Sequence, residues 1–212
     1  MNFLDNLERR FGAWAIPQFA LFIVMANALI YFLGQVRPEF IGRLLLDPDA
    51  IRSGEIWRLI TFLFVPPPMG VFWMFFWLLV LYQFGLALEH RWGDFRFCLF
   101  YAIGGLATIV AAMWIVGGTL SNMPLNTTLF LAFATLFPHY ELLLFFILPV
   151  KVKYLAALTW LGLAWGLVIG NGATRVAIAA SLVNYALFFG PQIWESVKLK
   201  AETYRNRRRF RS

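Results

Sequence analysis

The chain has 212 residues, of which 61% are hydrophobic and 14% are charged, and its formal net charge is +7. A soluble domain is about 45–50% apolar and about 25% charged, and a chain this short has too little interior to hide so many apolar side chains. The composition therefore excludes an ordinary soluble domain and predicts a single all-α membrane domain. Cys98 is the one cysteine, so no intramolecular disulfide and no cysteine cluster for a metal can form.

Six apolar stretches are predicted to be membrane helices, because a helix needs roughly 20 apolar residues to cross the hydrocarbon of a bilayer. In chain order they are Ile16–Gly34, Met69–Leu88, Phe95–Gly117, Leu125–Phe137, Tyr154–Ile169 and Val176–Phe189. The fourth stretch is short. These spans divide the chain into an N-terminal segment (residues 1–15), a six-helix membrane domain (residues 16–190) and a basic tail (residues 191–212).

Two segments between the predicted spans do not fit this simple pattern. Arg37–Pro68 is a long connection that ends in three consecutive prolines, which lack a backbone donor and break helices. We expect it to lie in the membrane surface or to dip partway into the bilayer. Leu142–Val150 is apolar but too short to cross a membrane. We expect it either to extend the fourth helix or to lie along the membrane interface.

Lysine and arginine are unevenly distributed between the two sides of the predicted bundle. The N-terminus, the second and fourth loops and the tail share one side, and they carry most of the 18 basic residues. Because basic residues are retained on the cytoplasmic side, we expect both termini to be cytoplasmic, and we expect a bacterial inner membrane. The tail KLKAETYRNRRRFRS is interpreted as a topology anchor, with binding to anionic membrane lipids as the alternative. No nucleic-acid-binding motif is present, so no nucleic-acid partner is expected.

Several short motifs follow one another along the chain. Trp57 and Arg58 form a WR pair in the first connection, and Glu89 and Gly93 form an E-x-x-x-G at the end of the second span. The fourth span ends in LFP, and a PVK segment leads into the fifth. In this order and spacing, the chain resembles the rhomboid superfamily of intramembrane serine proteases. The resemblance covers most of the chain and implies a six-helix rhomboid-like bundle with a half-embedded first loop.

The resemblance also implies where a rhomboid would carry its catalytic residues. Met123 occupies the position of the nucleophilic serine, and Ser181 occupies that of the general-base histidine. Trp73 and Trp77 occupy the positions that help to form the oxyanion hole. A thioether has no proton to lose and cannot act as an acyl-transfer nucleophile, and an indole tends to fill a cavity. We therefore expect no catalytic residue at these four positions.

No other residue is predicted to replace the missing chemistry. His90 and His139 are the two histidines, and both lie beside span ends on the predicted cytoplasmic side, whereas a rhomboid active site opens toward the opposite face. Ser121, Thr127 and Thr128 carry hydroxyls near the site, but each would need a base within hydrogen-bond reach. They are interpreted as helix caps or helix–helix hydrogen bonds. We expect no metal and no cofactor.

Polar residues inside the predicted spans are interpreted as structural. Asn27, Gln83 and Asn184 are expected to face the bundle interior and to pair there, because an unpaired polar group in lipid is costly. Glu89 is expected to act as a cap or an ion-pair partner at the end of the second span.

Three functions remain open from the sequence. The leading hypothesis is a catalytically inactive, derlin-like pseudoprotease that binds transmembrane or membrane-associated client proteins and affects their stability or trafficking, as the resemblance implies. A short fourth helix would thin the bilayer locally, and clients would reach it laterally between the second and fifth spans. The alternatives are a rhomboid-family serine protease with unorthodox residues and a membrane scaffold or transporter. Against transport, no charged residue lies in the middle of a predicted span.

Overall fold

The computed structural model describes residues 3–144 and 148–209, and most of these residues are in helices. In chain order the helices are α1 (Phe3–Phe11), α2 (Phe19–Val36), α3 (Pro38–Gly42), α4 (Pro48–Arg52), α5 (Arg58–Thr61), α6 (Val71–Trp92), α7 (Asp94–Val110), α8 (Met123–Leu136), α9 (Val152–Ile169) and α10 (Gly172–Arg209). Helix α7 continues as a π-helix over Ala111–Val116. Five of the described helices are long and apolar enough to cross a membrane, which confirms the prediction of an all-α membrane protein.

The predicted spans coincide with helices of the structure to within a few residues. The five helices of sufficient length are α2, α6, α7 with its π-helical continuation, α9, and the first part of α10 up to Gly190. The fourth predicted span is α8, whose 14 residues rise about 21 Å at about 1.5 Å per residue. Because the hydrocarbon core of a bilayer is about 30 Å thick, α8 is too short to cross it alone.

Helix α8 lies in the centre of the bundle, where it contacts α6, α7, α9 and α10. Most of its residues are buried, among them Leu125, Leu129 and Ala132. Phe84 of α6 stacks on Phe133 of α8, with the ring centroids 4.2 Å apart. A helix that is apolar and covered on nearly all sides belongs to the interior of a bundle.

The first connection, residues 37–70, folds into α3, α4, α5 and a single turn of 3-10 helix. It is bonded to the segment that precedes α8. Leu46 and Leu120 pair as an isolated β-bridge, and the side-chain amide of Asn122 donates to the carbonyl of Leu63 at 2.8 Å. Leu46 is fully buried. The connection is therefore a packed part of the domain, and its depth in the bilayer stays a prediction.

The segment after α8 is a β-hairpin, so the expectation that Leu142–Val150 extends α8 is wrong. Strands β1 (Glu141–Leu144) and β2 (Leu148–Lys151) pair antiparallel, and residues 145–147 lie outside the described residues. Pro138 follows the end of α8 and cannot continue the helix. Antiparallel pairing then satisfies backbone groups of both strands. A position along the membrane interface stays a prediction.

Two of the three polar residues within the spans lie in the interior, as predicted, and the third does not. Asn27 is buried and donates to the carbonyl of Ile23 at 2.9 Å, and Asn184 is buried and donates to the carbonyl of Phe100 at 3.0 Å. The prediction for Gln83 is wrong, because its side chain is exposed. The buried residues of α6 lie on the opposite side of the helix, so Gln83 points away from the bundle.

Gly104 of α7 marks a close approach between helices in the core. A Cβ atom at this position would collide with Cδ1 of Leu125 on α8, and it would lie 2.5 Å from the amide nitrogen of Asn184 on α10. We therefore expect Gly104→Ala to lower the free energy of unfolding by about 1–3 kcal/mol, the usual cost of overpacking a core. The measurement is thermal unfolding in detergent, followed by tryptophan fluorescence.

Gly162→Ala in α9 is the matched control for this experiment. A Cβ atom at Gly162 meets nothing within 4 Å, and alanine is a better helix former than glycine. The control is expected to keep or to raise the midpoint of unfolding. Equal destabilisation by the two substitutions would contradict the packing of α7 on α8 and α10.

Candidate functional site

The mouth of α8 is the place where the resemblance to rhomboids puts the nucleophile. Met123 is the first residue of α8, and 49% of its surface is exposed. Its backbone N–H donates to the hydroxyl of Ser121 at 3.4 Å. A hydroxyl that accepts a hydrogen bond from a backbone N–H at the start of a helix acts as a helix cap. The exposed side chain at the first position of α8 is the thioether of Met123. The neighbouring hydroxyl, that of Ser121, accepts a hydrogen bond from the backbone.

Ser181 lies inside the bundle, on α10. It is fully buried, and its hydroxyl donates to the carbonyl of Ile178 at 2.8 Å. A serine hydroxyl has a single proton, and here the proton is directed at a carbonyl of the same helix. Thr127 and Thr128 of α8 bond in the same way to carbonyls three or four residues earlier, at 2.9 and 2.8 Å. These hydroxyls therefore satisfy local backbone acceptors.

Two cavities flank Met123 at the mouth of α8. The larger, of about 570 Å³, lies between α2, the three prolines 66–68 and Ser121. The smaller, of about 410 Å³, lies between the loop before α8 and the start of α10, beside Asn171 and Thr174. Among the described residues, no Asp, Glu, His, Lys or Arg lines either cavity. A hydroxyl at this place therefore has no charged or imidazole group to act as its general base.

Trp73 and Trp77 lie one turn apart near the start of α6. Trp73 is 52% exposed, whereas the indole N–H of Trp77 is buried and has no acceptor among the described residues. Neither residue lines the two cavities beside Met123. The structure thus places both indoles on the expected helix without aiming a pair of donors into the mouth of α8.

The two histidines lie far from the mouth of α8. His139 follows the end of α8, so about 21 Å of helix separates it from Met123. His90 is in the last turn of α6, and the opposite end of that helix is the one beside the larger cavity, which Met69 lines. The 22 residues of α6 rise about 33 Å. The structure therefore does not bring either imidazole to Met123.

Trp57 and Arg58 hold the first connection together. Arg58 is 6% exposed, and its guanidinium donates to the carboxylate of Glu55 at 2.6 Å. It also donates to two backbone carbonyls, those of Gly42 at 2.7 Å and Leu45 at 3.0 Å. The indole N–H of Trp57 donates to another carbonyl of the same connection at 3.2 Å. The planar fork of donors on arginine suits several acceptors at once, so this pair closes the loop between α3 and α5.

Glu89 and Gly93 join the second span to its neighbours. The buried carboxylate of Glu89 accepts from the N–H of Phe19 at 2.6 Å and from that of Ala20 at 3.4 Å, at the start of α2. These N–H groups have no partner within their own helix, and a carboxylate also complements the dipole there. Gly93 has a φ of +84°, which favours glycine, and it turns the chain from α6 into α7.

Asn122 is a residue of the site that sequence reasoning misses. It is 4% exposed, and its amide binds the carbonyl of Leu63 across 59 positions of sequence. The hydroxyl of Tyr101 donates to the same carbonyl at 3.0 Å. An asparagine directly before an apolar helix is a signal for a helix cap. That signal identifies the residue but not its partner, which belongs to a distant segment.

The sequence matches a known family over most of its length. A family model with the description "Eukaryotic integral membrane protein (DUF1751)" matches residues 18–192. The chain belongs to this family. The comparison with curated proteins gives no match. The family description names a membrane protein and no activity, so the relation to rhomboids stays a prediction.

Membership in this eukaryotic family contradicts the predicted bacterial inner membrane. The reason for the error is physical: the distribution of lysine and arginine reports which side of a membrane a loop occupies, and the same bias operates in membranes of different organisms. It therefore carries no information on the compartment. A multi-pass membrane location is consistent with the family and with the five long apolar helices.

In this member of the DUF1751 family, the helices that surround α8 do not form a closed ring. Helix α9 packs against α8 and α10, whereas no close packing of α6 on α9 is found in the described part of the chain, and this interruption between α6 and α9 is called the lateral gap. Only 6% of the 18-residue helix α9 is buried inside the bundle. Its exposed side chains include Leu158, Leu161 and Trp165. Around α8, the order of the neighbouring helices is therefore α6, α7, α10 and α9, with an opening between the last and the first.

The cap formed by Glu89 generates a test of the fold. Glu89→Ala leaves two backbone N–H groups at the start of α2 without an acceptor, so we expect it to lower the free energy of unfolding by about 1–3 kcal/mol. Glu89→Gln keeps one carbonyl oxygen and is expected to cost less. The measurement is denaturant unfolding in detergent micelles.

Glu39→Ala is the control for Glu89, because it removes the same charge from an exposed position on α3. It is expected to change the stability little, as exposed substitutions usually do. If Glu89→Ala were as mild as Glu39→Ala, the cap would not support α2.

Proposed function

We propose that this protein is a non-catalytic, rhomboid-like membrane protein that binds transmembrane segments of client proteins and affects their stability or trafficking. The observation that supports this proposal is the lateral gap between α6 and α9. We infer that it opens the centre of the bundle to lipid on one side, so that a helix diffusing in the membrane plane would reach α8 without passing through water.

We infer that the floor of this gap is the least covered line of α8. Met123 is exposed, and Thr127 and Phe130 are partly exposed at helical spacing. The ring of Phe130 also packs on Phe84 of α6, with the centroids 5.6 Å apart, so Phe130 marks the α6 side of the gap. Because α6, α7, α9 and α10 cover the remaining sides of α8, we infer that this stripe faces the opening. A client helix in the gap would contact the stripe together with the exposed apolar side chains of α9.

The physical chemistry of the gap suits binding of a helix better than hydrolysis. Helices associate in lipid through side-chain packing and hydrogen bonds, since lipid tails are as apolar as the helices themselves. A helix of about 21 Å in a hydrocarbon layer of about 30 Å favours local thinning. The two cavities beside Met123 offer neutral polar groups at the mouth of α8. A client with a polar or short segment at that depth would be stabilised there.

The described residues that line the two cavities at the start of α8 include no general base, so we predict that the protein does not hydrolyse peptide bonds there. We expect the purified protein in liposomes to cleave a generic rhomboid transmembrane substrate no faster than empty liposomes do, while an active rhomboid cleaves it. We also expect Met123→Ser to stay inactive, because the new hydroxyl would have no general base among the residues that line the cavities. Cleavage that is abolished by Ser121→Ala or Ser181→Ala would establish an enzyme and reject the proposal.

Client binding is tested with photocrosslinking amino acids in native membranes. Positions 123 and 127 lie one turn apart on the stripe of α8, and we expect both to crosslink to transmembrane proteins. Met25 and Leu29 lie one turn apart on α2 and are 63% and 61% exposed, so they serve as controls for random collision in lipid. Equal yields from the two pairs, with the fold intact, would reject the gap as a binding site.

A further inference from the structure

The outer face of α6 carries a polar side chain near the middle of a membrane span. Gln83 is the thirteenth residue of this 22-residue helix, and its side chain is exposed. It makes no hydrogen bond to any residue that the structure describes. A primary amide that faces hydrocarbon has no water to bind, so an unpaired one is strongly unfavourable. Its position near the middle of the span means that the amide cannot readily reach either interface.

The residues around Gln83 form a regular stripe along the outside of α6. Its members are exposed or half-buried and recur at alternating steps of four and three residues: Phe72, Phe76, Leu79, Gln83, Leu86 and His90. This is the spacing of the a and d positions of a heptad repeat, with which two helices pack side by side. In such helix pairs, a polar residue at an a position, as Gln83 is here, specifies how the helices align and how many of them associate.

We propose that this stripe binds a second copy of the same chain, with Gln83 facing Gln83 across a twofold axis. Two copies that are inserted in the same orientation can only pair in parallel about an axis along the membrane normal. Each residue of the stripe then faces its own counterpart at the same depth. A second copy is therefore a partner that necessarily presents an amide where Gln83 needs one.

The chemistry of the side chain favours this pairing with itself. A primary amide carries both N–H donors and a carbonyl acceptor, so two glutamines can each donate to and accept from the other. The apolar members of the stripe would pack above and below the pair. The resulting interface satisfies the amide in hydrocarbon, where interhelical hydrogen bonds of glutamine hold helices together.

The proposed interface leaves the rest of the bundle undisturbed. Leu81 and Gly85 are buried in the bundle, and each lies two residues from Gln83, which is about 200° around the helix. Pairing through Gln83 therefore uses the side of α6 that lies opposite these buried residues. Client binding is proposed at the gap beside α9 and does not depend on self-pairing through Gln83.

The first test measures self-association of the full chain in liposomes, by energy transfer between labelled copies over a range of protein-to-lipid ratios. We expect the unmodified protein to form dimers. We expect Gln83→Leu, which removes the amide, to raise the dissociation constant in lipid by about 5- to 30-fold. Gln83→Asn keeps an amide and is expected to retain most of the association. The result that would overturn the proposal is a monomeric protein at every ratio, or equal association of Gln83→Leu and the unmodified protein.

The second test asks whether residue 83 faces itself. In a Cys98→Ser background, Gln83→Cys is oxidised with copper-phenanthroline in membranes, and we expect a disulfide-linked dimer. Leu29→Cys, on the exposed side of α2, is the matched control and should stay monomeric. A crosslink from residue 83 to a different membrane protein in place of a second copy would reject self-pairing, as would equal dimer yields at positions 83 and 29.

Discussion

The length of the central helix α8 constrains the structure around it. Its 14 residues rise about 21 Å, against a hydrocarbon layer of about 30 Å, so the segments at its two ends decide how it can be accommodated in a bilayer. At its start, the first connection is bound through Asn122 and through the bridge between Leu46 and Leu120. At its end, Pro138 is followed by a hairpin. Irregular backbone at membrane depth is tolerated where it is buried in protein or lines a water-filled cavity. Beside Met123, the first connection packs on the segment before α8, and two cavities adjoin it.

The residues that carry the resemblance to rhomboids act on the backbone of this protein. Arg58 binds carbonyls of the first connection, and Glu89 binds N–H groups at the start of α2. Both are buried, and each supplies a charge-assisted partner to groups that would otherwise be left unpaired. The resemblance implies catalytic positions at Met123 and Trp77, and these side chains carry no nucleophile or general base. A fold does not by itself determine a function, so the structural roles of Arg58 and Glu89 do not depend on any activity of the protein.

Hydropathy locates the helices well, because each span must be apolar along its whole length, and the predicted stretch Tyr154–Ile169 coincides with α9. It does not report the direction of a side chain such as Gln83, because both faces of a membrane helix are apolar and the periodicity is weak. It also does not separate a strand from a short helix within residues 142–150. The contact of Asn122 with Leu63 depends on the tertiary fold, which no local pattern contains.

Helix α9 differs from the other long helices in what its displacement would cost. Of the apolar 18-residue stretch of α9, 6% is buried inside the bundle. The same stretches of α2, α6 and α7 are 28%, 28% and 39% buried. The hydrogen bonds of an α-helix are internal, so moving α9 aside exposes no unpaired backbone to lipid. The energetic cost would then consist of side-chain packing on α8 and α10, such as that of Trp160 on Tyr185. Among these four helices, α9 is therefore the one that we expect to move aside most easily, so that the bundle would widen in the membrane plane without unfolding a helix.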